Sequence, residues 1–343
     1  MSFRPDAFLP VSLLARITDI RVNEPDRALQ AAKRRQRRKQ LTLDGKLNVL
    51  AADHPARRVT RVGEDALAMA NRQNYLARVV RVLSSDVVDG VMATMDLLEE
   101  LLLLHDLCER AGAEGFLHRK VLIASLNRGG LAGAQWEMDD PLTGTSPRSC
   151  KEWDLDGAKL LLRVCDDDSG SLKTLLACAD CITQLNALGL PTFLEPLPVV
   201  RANEGYQVIK EADALARLVG VASALGDSSR YLWLKLPYCD RYERVAGATT
   251  LPVLLLGGEA VGDAKRLLEH IAAGMAAGAN VRGTLIGRNV LYPGQEDPLV
   301  VAAAVHGIVH QGWTTQQAME MAAARRGQNL DYFNLNFSDG KRK

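Results

Sequence analysis

The sequence predicts a single α/β chain folded as a (β/α)8 TIM barrel with an N-terminal extension. Three observations predict it. From residue 47 to residue 311, short apolar runs alternate with longer amphipathic stretches, a repeated β-α unit. The apolar runs number eight and spread over about 250 residues, the size of one closed barrel. Polar residues and glycines gather where those runs end, which is where barrel enzymes keep their chemistry.

Residues 1–46 stand outside this rhythm. Leu9 to Leu29 predicts a short helical prelude, followed by the compact basic stretch Lys33-Arg-Arg-Gln-Arg-Arg-Lys-Gln40. Such a run can bind nucleic acid or a membrane surface. A solvated helix face or a contact with a neighbouring subunit is the better account, because no nucleic-acid motif accompanies it. The eight predicted strands are Leu47–Ala52, Gly90–Met95, Val121–Leu126, Lys159–Val164, Thr192–Leu197, Tyr231–Pro237, Pro252–Leu256 and Val281–Ile286. Helices are predicted over Glu64–Leu83, Met95–Ala111, Leu172–Leu188, Tyr206–Leu225, Gly262–Ala277 and Pro298–His310. The connection from Asn127 to Asp156 is long and rich in Gly, Pro and Ser, and predicts a cap over the active face. Residues 47–315 are therefore read as the catalytic barrel. Residues 316–343 are read as a C-terminal helix and tail, with Ser338–Lys343 disordered.

The 343 residues are 47% hydrophobic and 24% charged, enough apolar material for a large core. Lys and Arg number 42 against 41 Asp and Glu, so the net charge of +1 gives no general affinity for polyanions. The apolar runs are short and interrupted: Leu97 to Leu104 is broken by Glu99 and Glu100 and is far too short to span a bilayer. The start of the chain lacks the apolar core of a secretory signal, so a cytoplasmic location and no membrane partner are expected. Of six scattered cysteines only Cys178 and Cys181 have redox or metal spacing, and they fall inside a helical pattern. Six reduced thiols are the expectation. The six histidines do not cluster at strand ends, so neither a metal nor another cofactor is expected.

Lys235 stands in Tyr231-Leu-Trp-Leu-Lys-Leu-Pro-Tyr238, an apolar strand where a solitary amine is costly to bury. Strand alternation places Leu232, Leu234 and Leu236 on one face and Trp233 with Lys235 on the other, toward the barrel interior. Desolvation and neighbouring cations favour a neutral, nucleophilic amine, which points to Schiff-base chemistry. Lys159 and Arg163 share the interior parity of the fourth strand and would attract an anionic substrate. Asp53 and His54 end the first strand and can orient substrate hydroxyls or move protons, Asp53 being the stronger candidate. Glu195 closes the fifth strand as an acid, a base or a partner for a lysine. Gly257 and Gly258 end the seventh strand, and Gly287 with Arg288 ends the eighth, where barrels commonly hold phosphate. Asp166 follows the fourth strand as a further candidate for proton transfer or substrate binding, or else caps the next helix.

The segments Leu50-Ala-Ala-Asp53, Lys159-Leu-Leu-Leu-Arg163, Phe193-Leu-Glu-Pro196, Leu234-Lys-Leu-Pro-Tyr238, Gly257-Gly258 and Gly287-Arg288-Asn289 together resemble a known family. It is the barrel-type class I aldolases that include archaeal-type fructose-bisphosphate, tagatose-bisphosphate and sulfofructose-phosphate aldolases. The chain looks most like a branch found with inositol-catabolic genes. The resemblance implies Lys235 as the imine lysine, with Glu195, Lys159 and Asp53 as its catalytic companions. The archaeal branch has a tyrosine proton donor after the fourth strand, where this chain reads Arg163-Val-Cys-Asp-Asp-Asp168.

The expected activity is metal-free cleavage of a phosphorylated ketose or keto-sugar acid to dihydroxyacetone phosphate and an aldehyde. The resemblance points to 5-dehydro-2-deoxygluconate 6-phosphate, giving malonate semialdehyde. Arg163, Asp166, Gly257, Gly258, Gly287 and Arg288 would hold the charged parts of the substrate. Alternatives are a phosphate-binding barrel isomerase or a thiolase-like acyltransferase in which Lys235 acts only electrostatically, and a basic-arm nucleic-acid-binding protein. Barrels of this kind often associate through their outer helices, so a homo-oligomer is expected.

Overall fold

The computed structural model describes residues 3–128, 130–203, 205–258 and 264–333. Its centre is a closed parallel barrel. The strands are β1 (Leu47–Ala52), β2 (Gly90–Ala93), β3 (Val121–Ser125), β4 (Gly157–Val164), β5 (Thr192–Arg201), β6 (Tyr206–Val208), β7 (Leu232–Pro237), β8 (Val253–Leu256) and β9 (Val281–Ile286). Eight of them pair in the cyclic order β1-β2-β3-β4-β5-β7-β8-β9, and β9 returns to β1. The β6 strand lies outside the ring, antiparallel to the end of β5.

Alternation along each strand separates two apolar populations. Leu232, Leu234 and Leu236 of β7 point outward into the layer shared with the helices. A smaller inner cluster of Leu47, Val49, Ala51, Met92, Ile123, Phe193, Leu254 and Leu285, with Trp233 against it, fills the lower barrel. Two residues beyond Trp233 along the same face stands Lys235, and two beyond Phe193 stands Glu195. The apolar plug therefore ends where the charged layer begins.

The helices are α1 (Pro5–Phe8), α2 (Val11–Asn23), α3 (Arg27–Arg34), α4 (Arg72–Leu83), α5 (Met95–Arg110), α6 (Pro147–Glu152), α7 (Gly170–Ala187), α8 (Ala212–Ser223), α9 (Tyr242–Ala246), α10 (Ala264–Ala276), α11 (Arg288–Leu291), α12 (Pro298–Gln311) and α13 (Thr315–Ala323). Two predicted helices are shorter than expected. The Asn71 side chain accepts the Asn74 amide and starts α4 there, while residues 60–70 form a loop closed by the Val62–Asp65 bridge. Tyr206 to Val208 is strand rather than helix, because β5 overshoots the barrel rim and recruits it as a hairpin partner. The predicted tail Ser338–Lys343 lies outside the described residues.

The basic stretch is exposed at Lys33, Arg34, Gln36, Arg37, Lys39 and Gln40, and is also tied to the barrel by ion pairs. Arg35 Nη2 sits 2.7 Å from Asp156, Arg37 Nη2 2.9 Å from the same carboxylate, and Arg38 Nη2 2.8 Å from Asp89. Lys33 pairs with Asp154 and Arg34 with Asp106. Asp89 and Asp156 immediately precede β2 and β4, so the extension clamps the bottom of the barrel, away from the strand C-termini. All six cysteines are buried free thiols, with Cys178 and Cys181 on α7. Among the described residues no helix is long and apolar enough to cross a membrane.

Candidate active site

A cavity of about 760 Å³ opens at the C-terminal ends of the strands. Its floor is a chain of buried charges. Lys235 on β7 donates to Glu195 Oε2 on β5 at 2.9 Å, and Lys159 on β4 lies 2.8 Å from that same oxygen. Lys159 also stands 3.7 Å from Asp53 Oδ2, which accepts Ser125 Oγ at 2.8 Å. Arg128, after β3, completes the chain, with Nη1 3.3 Å from Asp53 Oδ2 and Nη2 donating to the Asp53 carbonyl at 2.6 Å. Register explains the meeting: β4–β5 pairing sets Leu161 beside Glu195 and Lys159 beside Phe193, one step below. The lysine's long stem spans that step.

Burial penalises the charged forms of Glu195, Asp53 and Lys159, yet the carboxylates stay ionised. Lys159 and Lys235 hold the Glu195 carboxyl at about 2 despite desolvation. Against a larger burial penalty, Arg128, Lys159, His54 and Lys235 keep Asp53 well below the ordinary carboxylate range. Burial lowers Lys159 from the usual lysine value, opposed by Glu195 and Asp53 and reinforced by Lys235 and Arg128. The same desolvation, with Arg288, Arg128 and Lys235 nearby, pushes His54 down to about 3 against the pull of Asp53. His54 is thus a neutral imidazole at physiological pH.

The rim over β8 and β9 carries the glycines. Gly257, Gly258, Gly287 and Arg288 all line the cavity. At Gly287 a Cβ would fall 2.3 Å from the Ala51 carbonyl oxygen and 2.4 Å from the His54 ring, so only glycine fits. Gly258 adopts a φ of 68°, and Lys210 Nζ comes within 3.9 Å of where its side chain would start. Asn289 Nδ2 donates to the Gly257 carbonyl at 2.7 Å and ties the two strand ends together. No side chain stands between backbone and cavity at these positions, which suits a phosphate.

Of the residues singled out from sequence, Lys235, Glu195, Asp53, Lys159, Gly257, Gly258, Gly287 and Arg288 share this cavity. Arg163 and Asp166 do not. Arg163 is buried behind the wall, where its guanidinium binds the Glu137 side chain and main chain. The expectation that it meets substrate is corrected by the capping loop, which supplies Glu137 and takes the arginine for itself. Asp166 is exposed and outside the lining. Its neighbour Asp168 accepts from the Tyr206 hydroxyl, Arg201 and the Gly170 amide, securing the β5–β6 hairpin to the start of α7. Sequence reasoning missed Arg57, Arg128 and Lys210, all lining residues on loops. Ser125 had a usable signal, a polar residue at the end of β3.

His105, Glu109 and His118 also converge, on the outside of the barrel. Leu117 and Gln36 backbone amides donate to Nδ1 of His105 and His118 at 3.1 Å each. His118 Nε2 is hydrogen-bonded to Glu109 at 2.9 Å, whereas His105 Nε2 stands 3.7 Å from that carboxylate, too far for a hydrogen bond. Both Nδ1 atoms are thus taken up by backbone amides, and one imidazole is bonded to the carboxylate.

Fold and site together define a (β/α)8 barrel protein with a cationic cavity floored by two lysines on one glutamate. The chain belongs to the Cgl0159-like family, whose model matches residues 45–309. The crystal structure of Cgl0159 from Corynebacterium glutamicum is 36% identical with a TM-score of 0.82, covering 89% of this chain and 99% of that one. An archaeal fructose 1,6-bisphosphate aldolase structure shares the fold at 19% identity and a TM-score of 0.55, over 83% of this chain and 100% of that one. Among curated proteins, the 3-hydroxy-5-phosphonooxypentane-2,4-dione thiolase of Salmonella paratyphi A is 30% identical over 95 residues, 27% of this chain and 31% of that protein. The 2-amino-3,7-dideoxy-D-threo-hept-6-ulosonate synthase 1 of Archaeoglobus fulgidus is 33% identical over 87 residues, 25% and 32% of the two chains. The chain thus matches about a third of the length of these curated relatives.

Proposed function

We propose that this protein is a class I aldolase that cleaves a phosphorylated ketose or keto-sugar acid through an imine on Lys235. The single observation that carries the reading is the buried Lys235–Glu195–Lys159 bridge beneath a glycine rim. The proton that Lys235 must shed before attacking the ketone passes to the shared oxygen of Glu195. Attack gives a carbinolamine, loss of water gives the iminium, and the adjacent carbon–carbon bond then breaks. Its electron pair moves into the iminium to form an enamine, while the departing carbon's hydroxyl loses a proton and becomes the aldehyde. Protonation of the enamine and hydrolysis release dihydroxyacetone phosphate and restore Lys235. Asp53, held by Ser125, Arg128 and Lys159, is positioned to orient substrate hydroxyls. The first substrate to test is 5-dehydro-2-deoxygluconate 6-phosphate, expected to give malonate semialdehyde.

The test is reductive trapping. Protein incubated with dihydroxyacetone phosphate and borohydride should yield an adduct on the Lys235 peptide, absent from Lys235→Ala. The name of the Salmonella relative supports a second reading, acyl transfer on a similar barrel. Absence of an adduct together with thioester formation from coenzyme A and a phosphorylated diketone would favour that reading.

A further inference from the structure

The ring order of the strands divides the cavity into two unlike halves. Outside the Lys235–Glu195–Lys159 bridge, most of its polar side chains come from the segments after β9, β1 and β3: Arg288, Asp53, His54, Arg57 and Arg128. The consecutive arc of β4, β5, β7 and β8 presents hydrocarbon instead. Leu161 stands two residues beyond Lys159 on β4, Leu197 two beyond Glu195 on β5, and Pro237 two beyond Lys235 on β7, and all three line the cavity. Side chains two apart share a face, so each charged residue of the floor is followed toward the mouth by an apolar one. Leu256, at the end of β8, completes the arc.

The β5–β6 hairpin carries this wall above the rim. Val199 pairs with Val208 and Arg201 with Tyr206, which brings β6 back across the mouth. Tyr206, Val208 and Leu256 pack on a cluster that contains Leu161 and Leu197, so the apolar surface is continuous from β4 to β8. Tyr206 offers this surface its ring, because its hydroxyl is bonded to Asp168, which does not line the cavity. Gln207, between Tyr206 and Val208, is exposed and by strand alternation belongs to the other face, although it also borders the cavity. A ligand methylene laid on the wall leaves water favourably. A ligand hydroxyl there gives up its water and finds no partner among those leucine and valine side chains.

In the aldolase reading the phosphate sits at the ends of β8 and β9 and the ketone carbon at Lys235 on β7. Continuing round the ring, the fragment beyond the breaking bond lies over β5 and β4, beneath the hairpin. Resting on that reading and narrowing it, we propose that the apolar arc is the aldehyde subsite and selects an aldehyde whose carbons after the carbonyl bear no hydroxyl group. The substrate is then a phosphorylated ketose or keto-sugar acid deoxygenated beyond the carbon that becomes the carbonyl. In the reverse direction the enamine carbon on Lys235 bonds the carbonyl carbon of a simple aliphatic aldehyde, whose oxygen takes up a proton. No charge on the aldehyde is required, and sugar-like aldehydes such as glyceraldehyde are poor partners.

The test condenses dihydroxyacetone phosphate with isosteric aldehydes. Propanal and glycolaldehyde differ by methyl for hydroxyl on the carbon next to the carbonyl, and butanal and 3-hydroxypropanal differ in the same way one carbon further on. With concentrations counted as free aldehyde, kcat/KM should favour the hydrocarbon member of each pair by about tenfold or more, the discrimination an apolar pocket makes against an added hydroxyl. Val208→Thr puts a hydroxyl on the wall with little change of shape, and Leu197→Asn puts an amide there. In both the ratio should fall toward one, whereas Val208→Ile should keep it. A parent ratio of one or less, a ratio unchanged in both polar variants, or an equal fall in Val208→Ile overturns the subsite. Circular dichroism establishes that the variants fold, and Val208→Thr, on a strand outside the ring, carries the test if Leu197→Asn does not. Borohydride trapping on Lys235 in the parent runs alongside: an adduct without aldehyde preference sinks the subsite alone, and no adduct sinks the aldolase reading and the subsite with it.

Discussion

Lys159 and Lys235, on β4 and β7, hold the same oxygen of Glu195 at 2.8 and 2.9 Å. Two amines on one acceptor are not equivalent chemically. Lys235 sits toward the cavity with 8% of its side chain exposed, whereas Lys159 lies deeper at 2% and also faces Asp53. The deeper lysine is suited to setting charge, the shallower one to meeting a ketone.

Lys159→Met therefore separates the two roles. The borohydride adduct should still map to Lys235, while kcat falls about a hundredfold, the scale of a lost proton-transfer partner. An adduct that moves or vanishes with Lys159 would reverse the assignment of the imine lysine.

Glu195→Gln removes the acceptor on which both amines depend. Turnover should fall by about 10²–10⁴. Burst experiments with substrate should show slowed imine formation as well as slowed cleavage, and normal imine formation would exclude Glu195 as the acceptor of the Lys235 proton.

The acid side of the stability curve follows from the same carboxylate. Its folded value of about 2 lies below the ordinary 4.5, so its stabilisation is present above 4.5 and is lost as pH falls toward 2. At neutral pH this contributes on the order of 3 kcal/mol. Urea midpoints measured from pH 5 to pH 2 should decline steeply in the parent and less steeply in Glu195→Gln. Parallel declines would show that other carboxylates govern acid unfolding.

A histidine at the barrel bottom acts in the opposite direction. His310 is bonded to Asp44 at 2.8 Å and Asp89 at 3.0 Å, and these carboxylates raise its pKa against the burial penalty. A raised cationic group stabilises below its unfolded value of 6.5 and loses that contribution as pH rises through its folded value. Thermal midpoints should drop between neutral and mildly alkaline pH, and His310→Gln should flatten that drop.

The N-terminal clamp is predicted to be essential to stability. The Arg35 side chain is fully buried against Asp156 and also donates to the Lys120 and Asp154 carbonyls at 3.0 and 2.9 Å. Arg35→Met should cost about 3–5 kcal/mol in urea unfolding, since it leaves a partly buried carboxylate without its deepest partner. Because the pair is dry, added salt should change that cost little.

Strand periodicity by itself determined the repeated β-α rhythm and the inward aim of Lys235 and Lys159, because side chains alternate every two residues wherever a strand forms. Glycines at the ends of β8 and β9 likewise announced the rim from composition alone. Only the tertiary structure decided which charges meet. The bond from Lys235 to Glu195 crosses from β7 to β5, and Lys159 joins it through the β4–β5 register, a matter of ring closure that no local pattern encodes. Arg163 had the correct parity, but it was claimed by Glu137 from a loop 26 residues earlier in the chain. Arg57, Arg128 and Lys210 reached the cavity from loops, whose paths depend on what they pack against rather than on any periodicity. The ion pairs that tie the basic stretch of residues 33–40 to the barrel were illegible for the same reason. Its carboxylate partners lie far along the chain, and folding alone brings them beneath the barrel.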